Sequence, residues 1–145
     1  MWHIPVLLRT APLPKSVFIP ASDKQISYQG VWFPWTTVED LEDPENPATQ
    51  DALPRASQTA ESAAELSFDG PGVEYVAQKS DGQGGVDIYL DGVRQETANL
   101  NLNDFPVFFN VVIFAQHGLP QGKHVIRIAN ASGARVNLEG FRVYA

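Results

Sequence analysis

The chain has 145 residues, a formal net charge of −7 at pH 7 and no cysteine. Its length fits one domain that buries roughly 70% of the unfolded chain's surface around a single core. The ten Lys and Arg residues are scattered and form no basic stripe that could neutralise phosphates, so we expect no nucleic-acid partner. Without cysteine there can be no disulfide or thiolate metal site, and burial and strand pairing must stabilise the fold.

The first 23 residues are rich in proline, and we expect them to form a linker or an edge segment. Proline lacks the backbone N–H that a central strand needs, which excludes this segment from the middle of a sheet. The favoured interpretation is a linker that packs in part on a β-sandwich domain formed by residues 24–145. The apolar stretch at the start lacks the length and basic flank of a signal peptide, and no run is long enough to cross a bilayer. We therefore expect no membrane partner, and any export signal would lie outside this chain.

Residues 25–32 (QISYQGVW) form the first expected strand, and a long irregular insert, residues 33–63, follows it. Loops of this length are usually functional or mobile. Beyond the insert, apolar and polar residues alternate between glycine turns, as in VDIYLDG, so that successive side chains leave opposite faces of a strand. The expected strands lie at residues 64–68, 73–78, 86–91, 94–102, 107–114, 123–130 and 136–144. This rhythm predicts an all-β fold, an antiparallel β-sandwich.

The last expected strand contains a change of parity. Val136 and Leu138 keep one parity, whereas Phe141 and Val143 keep the other. One inserted residue would return both pairs to a common buried face, which predicts a bulge or irregularity at Glu139-Gly140. Alternation elsewhere predicts a set of buried core residues. They are Val86, Ile88, Leu90, Ile126 and Ile128.

The stretch FPVFFNVVIFA is apolar on both faces of its expected strand and contains Phe108, Phe109 and Phe114. Such a strand is either covered on both sides or presents an exposed aromatic platform. We favour packing in the core or against a neighbouring domain, because large aromatic side chains are mostly buried.

The order of the strands predicts where a ligand would bind. If each strand reverses the direction of the last, the loops 33–63, 79–85, 103–106 and 131–135 all emerge at one end of the sandwich. Binding sites concentrate on loops held by a rigid scaffold, so this end is the candidate site. The candidate ligand-binding residues are Trp35, Phe33, Asp81, Gln83, Asn103, Asp104, Phe105 and Arg135.

Two tryptophans near these loops receive different roles. A sugar presents an apolar face of C–H groups, so a binding site needs an exposed flat aromatic with polar groups around it. Trp35 is the leading candidate for stacking against a sugar, whereas Trp32, just beneath, is expected in the core.

The succession QISYQGVW, AELSFDGPGVEY, GGVDIYLDGV, GLPQGKHVIRI and a final strand with FRV resembles the galactose-binding-domain-like jelly-roll. That fold occurs in carbohydrate-binding modules attached to glycoside hydrolases, polysaccharide lyases and esterases. The resemblance covers about 120 residues from Gln25 onward. It implies a non-catalytic carbohydrate-binding module that targets an attached or partner enzyme to a polysaccharide or glycan. A neighbouring catalytic domain and an extracellular location in a larger secreted protein are implied as well, and a structural calcium is a candidate cofactor with unassigned ligands.

A run of acidic residues in the insert offers a second place for a cation. Carboxylates are suitable calcium ligands, but the run lacks the spacing and turn glycine of an EF-hand, so a solvated loop is the favoured interpretation. The run consists of Glu39, Asp40, Glu42, Asp43 and Glu45.

Catalysis finds little support in the sequence. No motif pairs a nucleophile with a base, and the histidines lack the spacing of a site; we interpret His117 and His124 as exposed turn residues. Two alternatives to a binding module stay open: a structural or protein-interaction β-sandwich domain of a larger enzyme, and a small glycoside hydrolase built on two carboxylates. The triplet Asn130-Ala131-Ser132 is a glycosylation sequon that has meaning only on a eukaryotic secretory route.

Overall fold

The computed structural model describes residues 15–35, 53–103 and 107–145. These residues form twelve β-strands and no helix, so none of their segments is a helix that could cross a membrane. The first six strands are β1 Ser16–Pro20, β2 Ile26–Gln29, β3 Phe33–Pro34, β4 Arg55–Ser57, β5 Ala63–Asp69 and β6 Gly72–Lys79. The other six are β7 Gly85–Leu90, β8 Val93–Asn99, β9 Phe108–Gln116, β10 Lys123–Asn130, β11 Val136–Leu138 and β12 Gly140–Tyr144.

The strands form three sheets in which neighbouring strands are antiparallel. A four-stranded sheet has the order β1-β12-β6-β9, and a five-stranded sheet has the order β2-β5-β10-β7-β8. A small three-stranded sheet, β11-β4-β3, joins segments that are far apart in the sequence. The predicted all-β, antiparallel β-sandwich is therefore confirmed.

The core lies between the four-stranded and five-stranded sheets. All five residues predicted to be buried, on β7 and β10, are buried in the core cluster, because alternate residues of each strand face the opposite sheet. From the four-stranded sheet, Tyr75 and Phe141 enter the same core with their ring centroids 6.0 Å apart. Burial of these side chains is the main stabilising term available to a chain that has no disulfide.

The predicted irregularity at Glu139-Gly140 is also confirmed. β11 pairs with β4 in the three-stranded sheet, and β12 pairs with β1 and β6 in the four-stranded sheet. Glu139 lies between the two strands, where the chain passes from one sheet to the other. Leu138 and Phe141 have opposite parity, yet both are fully buried, because each belongs to a different sheet.

The insert, residues 33–63, is more ordered than expected. It contributes β3 and β4: β4 pairs with β11 on one side and with β3 on the other. The expectation of a wholly irregular loop was wrong, because Val136–Leu138 offers a free strand edge to which β4 bonds, and β4 in turn pairs with β3. Residues 36–52, which include the acidic run, lie outside the described residues.

The N-terminal segment contributes an edge strand. β1 pairs with β12 from Ser16↔Tyr144 to Pro20↔Gly140, and it has no second partner in its sheet. This position suits a proline-bearing strand, because an edge strand bonds on one side only. The division of the chain at residue 23 stays a prediction.

Strand β9 differs from the expected burial at two of its three phenylalanines. Phe114 is 8% exposed and belongs to the core, but Phe108 and Phe109 are 50% and 43% exposed. Core packing of Phe108 and Phe109 was therefore wrong, and packing of these rings against a neighbouring domain stays a prediction. β9 is the edge of its sheet, its register with β6 shifts twice, and Asn110 has a φ of 55°, so the regular alternation of buried and exposed residues is interrupted at the start of the strand.

Candidate functional site

The loops predicted to meet at one end of the sandwich do meet there, as far as the structure describes them. The Gly84 N–H donates to the Arg135 carbonyl at 2.7 Å, which joins loop 79–85 to loop 131–135. The Leu102 N–H donates to the Ser80 carbonyl at 3.1 Å, which joins loop 79–85 to the segment before residue 103. We call this region the loop end.

Trp35 is placed differently from the exposed stacking residue that the sequence suggested. It is 9% exposed, its backbone N–H donates to the Pro54 carbonyl at 2.9 Å, and the Arg135 guanidinium carbon lies 5.3 Å from its ring centroid. The ring is thus covered, and its contact with Arg135 is a cation–π interaction that holds the insert against loop 131–135. Trp32 is half-buried at the core's margin, with its ring 5.2 Å from that of Tyr28.

Gln83 is also buried, and it belongs to a network under the loop end. The Asn137 Nδ2 group donates to the Gln83 side-chain oxygen at 3.2 Å and to the Gln78 carbonyl at 2.9 Å. The Gln78 N–H donates back to Asn137 Oδ1 at 2.8 Å, and the Tyr75 hydroxyl donates to the Asn137 carbonyl at 2.5 Å. These bonds satisfy polar groups that would otherwise be costly to bury, so Gln83 fixes the shape of the loops from below.

Asn130 has a comparable role in loop 131–135. It is 1% exposed, and its Nδ2 donates to the carbonyls of Ser57 and Ala134 at 3.2 and 2.9 Å. Its side-chain oxygen accepts the N–H groups of Ser132 and Gly133. The amide nitrogen of the sequon is therefore occupied and covered in the folded domain, which excludes its glycosylation after folding.

The exposed part of the loop end is polar. Asp81 and Asn103 are exposed, and Phe33 and Arg135 are half-buried, whereas Asp104 and Phe105 lie outside the described residues. The Asn101 Nδ2 donates to Asn103 Oδ1 at 2.8 Å, which orients the Asn103 amide. Amide and carboxylate groups in this arrangement can exchange hydrogen bonds with hydroxyl groups.

The structure assigns no residues to a metal site. Within the described ranges, no three histidine, aspartate or glutamate side chains lie close enough together to hold an ion. The ligands of the calcium implied by the resemblance therefore stay unassigned.

His124, at the opposite end of the sandwich, is buried, and its interpretation as an exposed turn residue was wrong. Its Nδ1 lies 2.7 Å from Asp91 Oδ2, and its Nε2 lies 2.7 Å from the Pro120 carbonyl. Only the protonated imidazole can donate from both nitrogens, so these two acceptors raise the pKa of His124. The same hydrogen bond, with that from the Val125 N–H, lowers the pKa of Asp91.

This pair predicts a pH-dependent stability. Because the pKa of His124 is higher in the folded state than in the unfolded state, protonation of His124 stabilises the fold. This stabilisation is fully present at a pH below the unfolded-state pKa of about 6.5 and is lost as the pH rises through the folded-state pKa. The lowered pKa of Asp91 means that its contribution is lost only as the pH falls through its own folded-state value. The melting temperature of His124→Asn should therefore fall further below that of the wild type at pH 5.5 than at pH 8.5.

The matched control for this prediction is Asp91→Asn, which removes the other partner. Asp91→Asn should lose the same pH-dependent stabilisation, because it removes the carboxylate that His124 contacts. An equal difference between wild type and His124→Asn at both pH values would contradict the prediction.

Comparison with known proteins gives relatives among carbohydrate-active enzymes. No known family matches the sequence. The chain is 25% identical over 126 residues to an A type blood alpha-D-galactosamine galactosaminidase of Flavonifractor plautii. The match covers 87% of this chain but 11% of that protein, so the chain spans about a tenth of this relative's length.

Solved structures share the fold at lower identity. A family two carbohydrate esterase from Cellvibrio japonicus matches with a TM-score of 0.61 at 15% identity, over 92% of this chain and 34% of its own. The CBM36-1 domain of a multidomain xylanase from the hindgut metagenome of Trinervitermes trinervoides matches with a TM-score of 0.51 at 10% identity, over 88% of this chain and 95% of its own. These likenesses show that the chain has the β-sandwich fold of carbohydrate-binding domains.

Proposed function

We propose that the chain is a non-catalytic carbohydrate-binding module of the galactose-binding-domain-like type, which targets an attached or partner enzyme to a glycan. The observation that carries the proposal is the galactosaminidase match, because nearly all of this chain corresponds to about a tenth of a carbohydrate-active enzyme. The same sandwich accounts for nearly all of the CBM36-1 domain, which supports a module that folds as a unit. Such a module raises the effective concentration of its enzyme at the polysaccharide. We place the protein outside the cell, with a catalytic domain as its neighbour.

The proposed site is the loop end, and its exposed polar groups are the candidates for ligand contact. The Asp81 carboxylate can accept hydrogen bonds from sugar hydroxyls, and the Asn103 amide can both donate and accept; Arg135 and Phe33, both half-buried, are further candidates. Trp35 and Gln83 support these loops from below. Asp104 and Phe105 stay proposed ligand residues in loop 103–106.

A glycan array with the isolated domain tests the function, and a double variant tests the site. The wild type should bind at least one neutral glycan with a micromolar to millimolar Kd, because a small polar ligand buries little area. Asp81→Ala/Asn103→Ala should weaken that binding by about tenfold if the ligand lies at the loop end. Its melting temperature should match that of the wild type, since both side chains are exposed.

The proposal also requires that the domain lack hydrolytic activity. The isolated chain should not turn over chromogenic glycosides or acetyl esters above the uncatalysed rate. Turnover that disappears after a single carboxylate substitution would replace the binding-module proposal with a small hydrolase.

The exposed edge strand β9 favours a second candidate, a structural or protein-interaction domain of a larger enzyme. Phe108, Phe109 and Val112 are all more than 40% exposed on this strand, and exposed apolar patches mark interaction surfaces. If this role is correct, a partner surface covers β9 in the full-length gene product. The β9 amides should then exchange hydrogen more slowly in that protein than in the isolated domain. Equal exchange rates would contradict it.

A further inference from the structure

The outer face of the five-stranded sheet carries a row of three side chains that no role described above explains. Arg127 on β10 is the cross-strand partner of Glu65 on β5 and of Tyr89 on β7. Directly opposed residues project from the same face of a sheet. Ile126 and Ile128, on either side of Arg127, are buried in the core, so the row faces away from the core.

An open cavity of about 500 Å³ lies over this row. Val125 and the β7–β8 turn, Asp91-Gly92, complete its lining. A side-chain carbon added at Gly92 would meet no atom within 4 Å, so the space beside this residue is open. The cavity is a groove with one aromatic ring, one guanidinium and two carboxylates.

Two of the charged groups are held in place before any ligand arrives. The Arg127 Nη1 donates to Gln29 Oε1 at 3.0 Å and lies 3.5 Å from Glu65 Oε2, which orients the guanidinium plane. A guanidinium has five N–H donors, so Arg127 keeps donors for a ligand. Asp91 accepts from the Val125 N–H at 2.8 Å and faces His124 at 2.7 Å, yet its side chain is 46% exposed. Groups fixed in this way lose little conformational entropy on binding.

Tyr89 supplies the aromatic ring against which a sugar could stack. It is half-buried, and within the described part of the chain its hydroxyl has no hydrogen-bond partner and its ring no aromatic one. A half-buried tyrosine among polar groups matches a sugar ring, which has an apolar C–H face and hydroxyls at its edge. In the core, by contrast, the Tyr75 hydroxyl is bonded to the Asn137 carbonyl.

We propose that this groove is a second glycan-binding site, which takes a neutral hexopyranose ring against Tyr89. Arg127 donates to ring hydroxyls, and Asp91 and Glu65 accept from them. Two carboxylates line the groove and the whole chain carries a net charge of −7, so uronic acids and sulfated sugars are disfavoured. The inference rests on the proposed function, but it names a different site: the six residues of β7 separate the groove's turn from the loop end by about 20 Å.

The test maps binding on the wild-type domain by amide chemical shifts in NMR. The probes are cellohexaose, mannopentaose and a galacturonic acid tetramer, each titrated to millimolar concentration. We expect shifts at 65, 89–92 and 125–127 with a neutral probe. Tyr89→Ala should weaken that probe's binding at least tenfold while the domain stays folded at the temperature of the titration. Arg127→Lys should weaken binding less, because the charge is kept but the planar fork is lost.

The control is the loop-end variant Asp81→Ala/Asn103→Ala, which should leave the groove shifts unchanged. Shifts confined to 81–84, 101–103 and 131–135, with full affinity in Tyr89→Ala, would overturn the groove and leave the proposed function intact. Preference for the galacturonic acid tetramer would overturn the ligand assigned to the groove. No binding of any probe by the wild type would overturn both proposals. The wild-type map decides the outcome even if Tyr89→Ala fails to fold.

Discussion

Replacing Trp35 with alanine should lower the free energy of unfolding by about 3–5 kcal/mol, the usual cost of removing a buried large aromatic side chain. The change empties the space under the insert and removes the ring over which the Arg135 guanidinium lies. It would loosen the contact between the insert and loop 131–135. Urea denaturation followed by far-ultraviolet circular dichroism, which does not depend on tryptophan fluorescence, measures the loss of stability.

Trp32→Ala is the matched control, because it removes the same side chain from a half-buried position. It should cost less, about 1–3 kcal/mol, since part of the Trp32 ring is already in solvent. If Trp35→Ala instead kept the wild-type stability and abolished glycan binding, Trp35 would be a ligand-stacking residue and its packing role would be refuted.

Gly140→Ala should destabilise the domain by about 3 kcal/mol, at the upper end of the usual range for overpacking. Gly140 pairs with Pro20 of β1 on one side and with Val76 of β6 on the other, so its backbone is fixed from both sides. An added side-chain carbon would lie 2.5 Å from Phe18 Cζ and well inside van der Waals contact with the Ile19 carbonyl oxygen. The carbonyl belongs to backbone and cannot move aside alone. Thermal and urea denaturation would both report the loss.

Gly85→Ala is the control for this substitution. Gly85 also lies in a strand, but there the added carbon would meet Thr97 Cγ2 at 3.4 Å, an ordinary contact. The stability should change by no more than about 0.5 kcal/mol. Equal effects at the two glycines would show that the close approach at Gly140 relaxes at little cost.

Most of the fold could be predicted from the sequence, because its signals are local. The alternation in VDIYLDG marks β7 and the turn that follows, and that turn is built as a tight one, with Asp91 and Gly92 at φ values of 52° and 81°. Likewise, the change of parity between Leu138 and Phe141 revealed the break at Glu139-Gly140. Each prediction needed no more than the spacing of neighbouring residues.

The insert and β9 could not be predicted in the same way. β3 and β4 are two and three residues long, too short to show alternation. β4 exists because β11 offers it a partner distant in the sequence, and β3 pairs with β4 in turn. The exposure of Phe108 and Phe109 follows from the edge position of β9, which depends on which strands pair.

The loop end was predictable as a location but only in part as a set of exposed residues. Strand reversal correctly brought loops 79–85 and 131–135 together. Gln83 and Asn137 carry no sequence signal of their contact, because 54 positions separate them along the chain. The pair of Asp91 and His124 was equally hidden, although both residues stand beside recognisable turns.

The sequence by itself determined the all-β class, the positions of most strands, the buried faces of β7 and β10 and the absence of disulfides, since each depends on residue type and short-range periodicity. The tertiary structure alone decided which aromatic rings are covered, which amides are buried and which polar side chains share a face. Trp35 is covered by an arginine 100 positions away, and Arg127 meets Glu65 and Tyr89 from two other strands. Contacts of this kind depend on strand pairing across the sheets, which local propensity does not specify.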